Sequence, residues 1–392
     1  MGNVWLTSAL WMACALLASL LSIRLAISVA LMEIIVGCVA GNTVGLHATE
    51  WVTYLASVGA VLLTFLAGAE IDPVVVRRHF WSSIGIGVAG FVAPFVGVLL
   101  YTRFVYEWSW PQAEIAGLAL STTSVAVVYA VMVETGYNRT EIGKVILAAC
   151  FVNDLGTVLG LGVFFANYSL WLAAFILVTA LVLRLAPRLL PWFGRMVGDR
   201  VSEPRTKLIL LILFTLGGLG SLAKCEAVLP AYFLGMVLAP YFLANRALAE
   251  RMRVTVFALL TPFYFLKAGS LVDARTVLSA CAPIVALLAM KMATKCLGVW
   301  PLTRAFALGR TEGIYTTLMM STGLTFGSIC ALFGLTNGII DRRQYTMLVT
   351  AVIASAVVPT LIAQRWFQPV GGRDVEGDGS VQEDPGGQRR LG

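Results

Sequence analysis

Asn153 and Asp154 stand side by side in Cys150-Phe-Val-Asn-Asp-Leu-Gly-Thr157, an otherwise mostly apolar run. Burial of a lone carboxylate penalises its charged form, and a nearby positive charge restores it. The oxygens that take a proton are also hard donors that suit Na+ or K+, and Asn153 adds an uncharged oxygen. Asp154 is therefore a candidate metal-ion site at which a proton and Na+ or K+ compete. The alternative is a structural ion pair, or a neutral acid bonded to a neighbouring helix. Ser121-Thr122-Thr123-Ser124 sets four hydroxyls in a row. Such a run can satisfy backbone groups where a helix unwinds, and Thr122, Thr123 and Ser124 supply further oxygens. Ordinary packing of hydroxyls between helices is the alternative. Lys291 and Lys295 are spaced to share one helix face. A buried ammonium must find a carboxylate or lose its proton, and Asp154 is the best-placed partner. Lys295 can instead extend toward a membrane surface. Glu70 and Lys267 read as gating or structural residues.

The elements that must hold these groups follow from composition. Of 392 residues, 59% are hydrophobic and 12% charged, and the mean hydropathy is +0.85. A soluble domain carries roughly 25% charge. The chain therefore reads as an all-α polytopic membrane protein, which excludes a disordered chain, a coiled coil or a secreted disulfide scaffold. The seven cysteines form no CxxC pair and the only histidines are His47 and His79, so no zinc or haem site can be assembled from them. About 20 apolar residues cross the hydrocarbon. Thirteen such spans are found: 4–22, 25–45, 52–69, 81–101, 111–133, 141–166, 168–186, 207–223, 226–243, 253–272, 277–299, 312–334 and 344–365. The first lacks a basic leader, so a cleavable signal peptide is not expected. With the N-terminus outside, 20 of the 28 Lys and Arg fall in inner connections or the tail and 5 in outer ones. That bias orients the chain with its C-terminus in the cytoplasm.

The sequence also repeats itself. Phe65-Leu-Ala-Gly-Ala-Glu-Ile-Asp72 returns as Phe265-Leu-Lys-Ala-Gly-Ser-Leu-Val-Asp273, Ser121-Thr-Thr-Ser124 as Ser321-Thr-Gly-Leu324, and Glu33-Ile-Ile-Val-Gly37 as Ala231-Tyr-Phe-Leu-Gly235. The shifts are 200, 200 and 198 residues. Spans one to six thus match spans eight to thirteen, and seven spans of separation invert one half relative to the other. Within a transmembrane region of residues 1–366, repeat one covers about 4–166, a linker helix about 168–186, and repeat two about 207–366. Two six-helix inverted repeats with broken, crossing helices are the pattern of secondary transporters, whose site lies at mid-depth between repeats. Residues 367–392 are polar and glycine-rich and read as a disordered cytoplasmic tail. No Walker A, G-x-S-x-G or H-E-x-x-H pattern occurs, so neither ATP-driven transport nor an enzyme is expected.

Phe65–Asp72, Asn153-Asp154, Thr261-Pro-Phe-Tyr-Phe-Leu-Lys-Ala-Gly269 and Ser321-Thr-Gly-Leu-Thr-Phe-Gly327, taken in order, resemble the sodium/proton exchanger family, and most closely its bacterial monovalent cation:proton antiporter branch. The resemblance spans about residues 10–366. It implies a thirteen-helix fold whose first three spans in each repeat form a homodimer scaffold and whose last three form a mobile core. It implies ion binding at Asp154 with Asn153 as motif partner, Thr122 and Thr123 at the crossing, and charge compensation by Lys291 or Lys295. Many electrogenic members carry two aspartates where this chain has Asn153-Asp154, whereas electroneutral members with the Asn form commonly carry arginine in place of the lysine. The expectation is exchange of Na+ or K+ for H+ across a cell membrane, that of a bacterial inner membrane, serving pH homeostasis without a cofactor. The alternative is a sodium-coupled organic-anion symporter of inverted-repeat type.

Overall fold

A computed structural model describes residues 4–25, 27–46, 48–69, 78–165, 170–198, 200, 202–223, 228–272, 275 and 279–368, and among them there is no β-strand. In the first half the helices are α1 (Val4–Leu25), α2 (Val29–Thr43), α3 (Glu50–Ala69), α4 (Phe80–Phe104), α5 (Trp110–Ser121), α6 (Val125–Thr135) and α7 (Glu141–Phe165). Then α8 (Leu170–Val197) leads to α9 (Pro204–Leu222), α10 (Val228–Ala244), α11 (Arg246–Thr255) and α12 (Thr261–Ser270). The chain closes with α13 (Cys281–Ala305), α14 (Arg310–Met320), α15 (Thr325–Thr336) and α16 (Arg342–Trp366). All thirteen expected spans are helical, and ten continuous or once-broken segments are long and apolar enough to cross a membrane. Glu70, and the tail beyond Gln368, lie outside the described residues.

Helix ends fall where the sequence supplies partners for free backbone groups. Pro111 sits in the first turn of α5, and the Ser109 N–H donates to Gln112 Oε1 at 3.0 Å. At the matching point of the second half, the Gly309 N–H donates to Glu312 Oε2 at 3.0 Å. Asp341 and Gln344 close a reciprocal cap on α16, with Gln344 N–H donating to Asp341 Oδ1 at 2.7 Å. Each cap of this kind contributes about 1 kcal/mol. Ahead of Pro262, which lacks an N–H, residues Val256–Leu260 widen into a π turn, and the Thr261 hydroxyl donates to Val256 O at 3.1 Å. The linker helix runs eleven residues past the expected 186, to Val197, through Pro187 and Pro191. At about 1.5 Å per residue it exceeds a hydrocarbon layer of about 30 Å.

Packing repeats at the shift seen in the sequence. The Cβ of any residue replacing Gly235 on α10 would strike Phe65 O on α3, and one at Gly68 would strike Tyr232 O. The same holds between α2 and α12, where Gly37 lies against Leu266 O and Gly269 against Ile34 O. In apolar surroundings, backbones this close gain dispersion contacts that larger residues would forbid. In both halves the middle of a span is broken: residues 122–124 separate α5 from α6, and residues 322–324 separate α14 from α15 apart from one turn at Ser321. The breaks touch. A Cβ at Gly327, early in α15, would lie 2.7 Å from Ala119 O and 2.9 Å from Thr122 Oγ1.

Candidate functional site

The two breaks free backbone groups deep in the bundle, and the nearby polar side chains attend to them. Asn153, on α7, accepts through Oδ1 from the Thr123 N–H at 3.0 Å. The Thr123 hydroxyl donates to Met320 O at 2.8 Å, at the C-terminal end of α14. It accepts from Lys295 Nζ at 2.8 Å. One threonine thus ties the first break to the second and to α13. Thr122 turns its hydroxyl onto Ala119 O at 3.0 Å, within its own helix. Ser124 caps α6, its Oγ accepting from the Val127 N–H at 3.4 Å and lying 3.5 Å from Thr325 Oγ1. All three sequence-predicted hydroxyl residues are at the crossing, and each already has a partner.

Asp154 does not. It is 4% exposed, its Oδ1 has no hydrogen-bond partner, and it takes part in none of the ion pairs among the described residues. It lines a narrow space whose other walls are Thr64, Val125, Phe151, Val228, Tyr232 and Phe326. These come from α3 and α10 on one side and from α6, α7 and α15 on the other, and the space is too narrow for a water-sized sphere. Leaving a buried carboxylate oxygen unpartnered costs several kcal/mol, on the order of 1–3 for a neutral group and more for a charged one. An oxygen so placed is chemically able to take a proton or to coordinate a small hard cation.

Both lysines are fully buried. Lys295 does not reach out to a surface; besides holding Thr123, it is the lysine electrostatically coupled to Asp154. Lys291 points elsewhere, donating to Ser355 Oγ on α16 at 2.8 Å, and that serine donates to Val352 O at 2.6 Å. Lys267 is only half-buried, in the last turn of α12.

Sequence reasoning passed over several groups. Tyr264, Thr325 and Ser355 look like ordinary span residues, and nothing local to them announces their contacts. Glu33 is different. It served only as a repeat marker, yet it is 2% exposed, with Oε2 unpartnered. Its signal was the one that picked out Asp154, an acid inside an apolar run. Glu134, at the end of α6, accepts from the Val29 N–H at 2.8 Å and so caps α2.

Residues 12–368 match the family described as sodium/hydrogen exchanger, transmembrane. The Na(+)/H(+)-K(+) antiporter GerN of Bacillus cereus is 24% identical over 356 residues, spanning 87% of this chain and 90% of the relative. Cation/H(+) antiporter 18 of Arabidopsis thaliana is 24% identical over 349 residues; the match takes in 83% of this chain and 42% of that longer protein. The structure of the sodium proton antiporter MjNhaP1 from Methanocaldococcus jannaschii at pH 8 superposes with a TM-score of 0.68 at 14% identity, covering 92% of this chain and 97% of that one. That likeness establishes the fold.

Proposed function

This chain belongs to the sodium/hydrogen exchanger family, and from that premise we propose that it is a secondary active antiporter exchanging a monovalent cation, Na+ or K+, for H+ at Asp154. The observation that carries the reading is a buried carboxylate oxygen with no partner, at the meeting of two broken helices. Protonated, Asp154 is neutral and tolerable in the bundle. Deprotonated, it must hold a cation or lean on the charge of Lys295. A step that lets it cross without either would strand a charge in a medium of low dielectric, and that penalty enforces exchange. Asn153, Thr123 and Ser124 position the breaks around it, and Thr122 shapes the crossing.

In this reading α1–α3 and α9–α12 form a dimeric scaffold, and α4–α7 with α13–α16 form a core that carries the site between the two faces. The recurrence of the glycine contacts at shifts of 198 and 201 residues supports two related halves, and their separation by seven spans makes them inverted. The narrow space beside Asp154 is walled by residues of both units, as a site at their moving boundary requires. The space beside Asp154 admits no water-sized sphere, which suits an ion stripped of water rather than an organic anion. With one carboxylate, exchange is one for one. The gradients drive it with no bound cofactor and no chemical turnover, in a cell membrane with the N-terminus outside, and the tail and Arg-rich connections in the cytoplasm. Its role is pH homeostasis. The test is cation-induced proton flux in proteoliposomes with no organic solute present. Asp154→Asn is expected to abolish the flux while leaving yield and monodispersity unchanged; retained flux in that variant overturns the assignment.

A further inference from the structure

Tyr264 belongs to α12, outside the helices that carry the breaks, yet its hydroxyl is hydrogen-bonded to Thr325 Oγ1, on the first residue after the second break. Thr325 Oγ1 in turn lies 3.5 Å from Ser124 Oγ, the residue that ends the first break. The next residues in each chain direction, Val125 and Phe326, are walls of the Asp154 pocket. The residue matching Tyr264 in the first half, Thr64, is another wall of that pocket. Position 64 and position 264 therefore approach the crossing from the two halves.

The hydroxyls form a chain in which either partner of each bond can donate. Ser124 Oγ spends one lone pair on the Val127 N–H. If Tyr264 donates to Thr325 and Thr325 to Ser124, the second lone pair of Ser124 is also used. If the chain runs the other way, Ser124 donates, its second lone pair is free, and its oxygen can turn toward a cation. A phenol can take either end of such a chain; a phenyl ring can only fill the space.

We propose that Tyr264 is a positioning residue of the ion site, whose hydroxyl orients Thr325 and Ser124 so that an oxygen is available to the cation held by Asp154. The inference rests on the antiport reading above. It gives Tyr264 a role in apparent cation affinity rather than in the speed of the cycle.

The experiment uses the full-length protein in proteoliposomes, with Na+ and K+ titrated in parallel as probes and proton flux as readout. Tyr264→Phe is expected to raise the half-saturating concentration of the transported cation about tenfold and to leave the maximal rate within about twofold. Tyr264→Phe combined with Thr325→Val is expected to do no more than Tyr264→Phe alone, since both cut one chain. Thr325→Ser keeps the hydroxyl and is expected to behave as wild type, while Thr325→Val copies Tyr264→Phe; this pair decides the matter if Tyr264→Phe does not fold. A wild-type half-saturation in Tyr264→Phe, or a fall in maximal rate alone, overturns the inference while leaving antiport intact. Absence of exchange in the wild type overturns the antiport reading and this inference together.

Discussion

The two halves of the molecule share a frame and divide the chemistry. α4 and α13 start 201 residues apart, as do α7 and α16, and each of the four is 25 residues long. At that shift Ser355 occupies the place of Asp154, and Gly90 and Pro94 occupy the places of Lys291 and Lys295. The acid is in the first half and both ammonium groups are in the second. A symmetric site would set like charges against each other across the crossing, at a cost that grows as water is excluded. Here the acid has one lysine tied to the neighbouring break through Thr123, while the other lysine is parked on the serine that stands in for the acid. In the proposed antiport, the shared frame supplies the geometry and a few differing side chains supply a site for one cation or one proton.

That comparison can be broken most severely at Asp154, where Asn is expected to lower exchange at least a hundredfold. Next come the lysines, which should differ sharply although they are one turn apart. Lys295→Met is expected to cut the flux more than tenfold, because it removes both the positive charge and the donor to Thr123. Lys291→Met is expected to keep flux within about threefold and to leave thermal stability equal or improved, as replacing an unpaired buried charge with an apolar chain often does. Equal losses in the two variants would contradict the division of labour. The shared frame is tested by Gly235→Ala and Gly37→Ala. Each presses a methyl into a facing carbonyl and is expected to destabilise by a similar amount, about 1–3 kcal/mol by overpacking, read as a lower melting temperature in detergent. A large loss in only one would show that the halves do not pack alike. The smallest effect is expected from Ser355→Asp, which places a carboxylate within reach of Lys291. It should raise the melting temperature by a few degrees, for about 1 kcal/mol gained, and should not restore flux to Asp154→Asn.

Much of the frame was legible beforehand because the lipid imposes it. Length and apolarity mark spans, so all thirteen were found, and the hydroxyl run at 121–124 marked the first break because hydroxyls stand in for lost helical bonds. The second break was found through its repeat match, since glycine and leucine at 323 and 324 carry no such mark. The linker helix runs past the expected 186 to Val197, because the two prolines at 187 and 191 are tolerated within a long helix. The site was legible in part. Asp154 stood out because an acid in an apolar span is costly. Spacing alone put Lys291 and Lys295 on one face and could not say which one the acid would feel; that depends on α16 bringing Ser355 to Lys291. Tyr264 was hidden because a tyrosine in an apolar helix has an ordinary explanation, and its partners are 61 residues or more away in sequence.

Competition at Asp154 is tested most directly by calorimetric titration of purified protein with Na+ and K+ in buffers of different ionisation enthalpy, which counts protons released per ion bound. The account predicts about one proton released per transported cation in the wild type, and neither binding nor release in Asp154→Asn. Cation binding without proton release, or release that survives in Asp154→Asn, would contradict it.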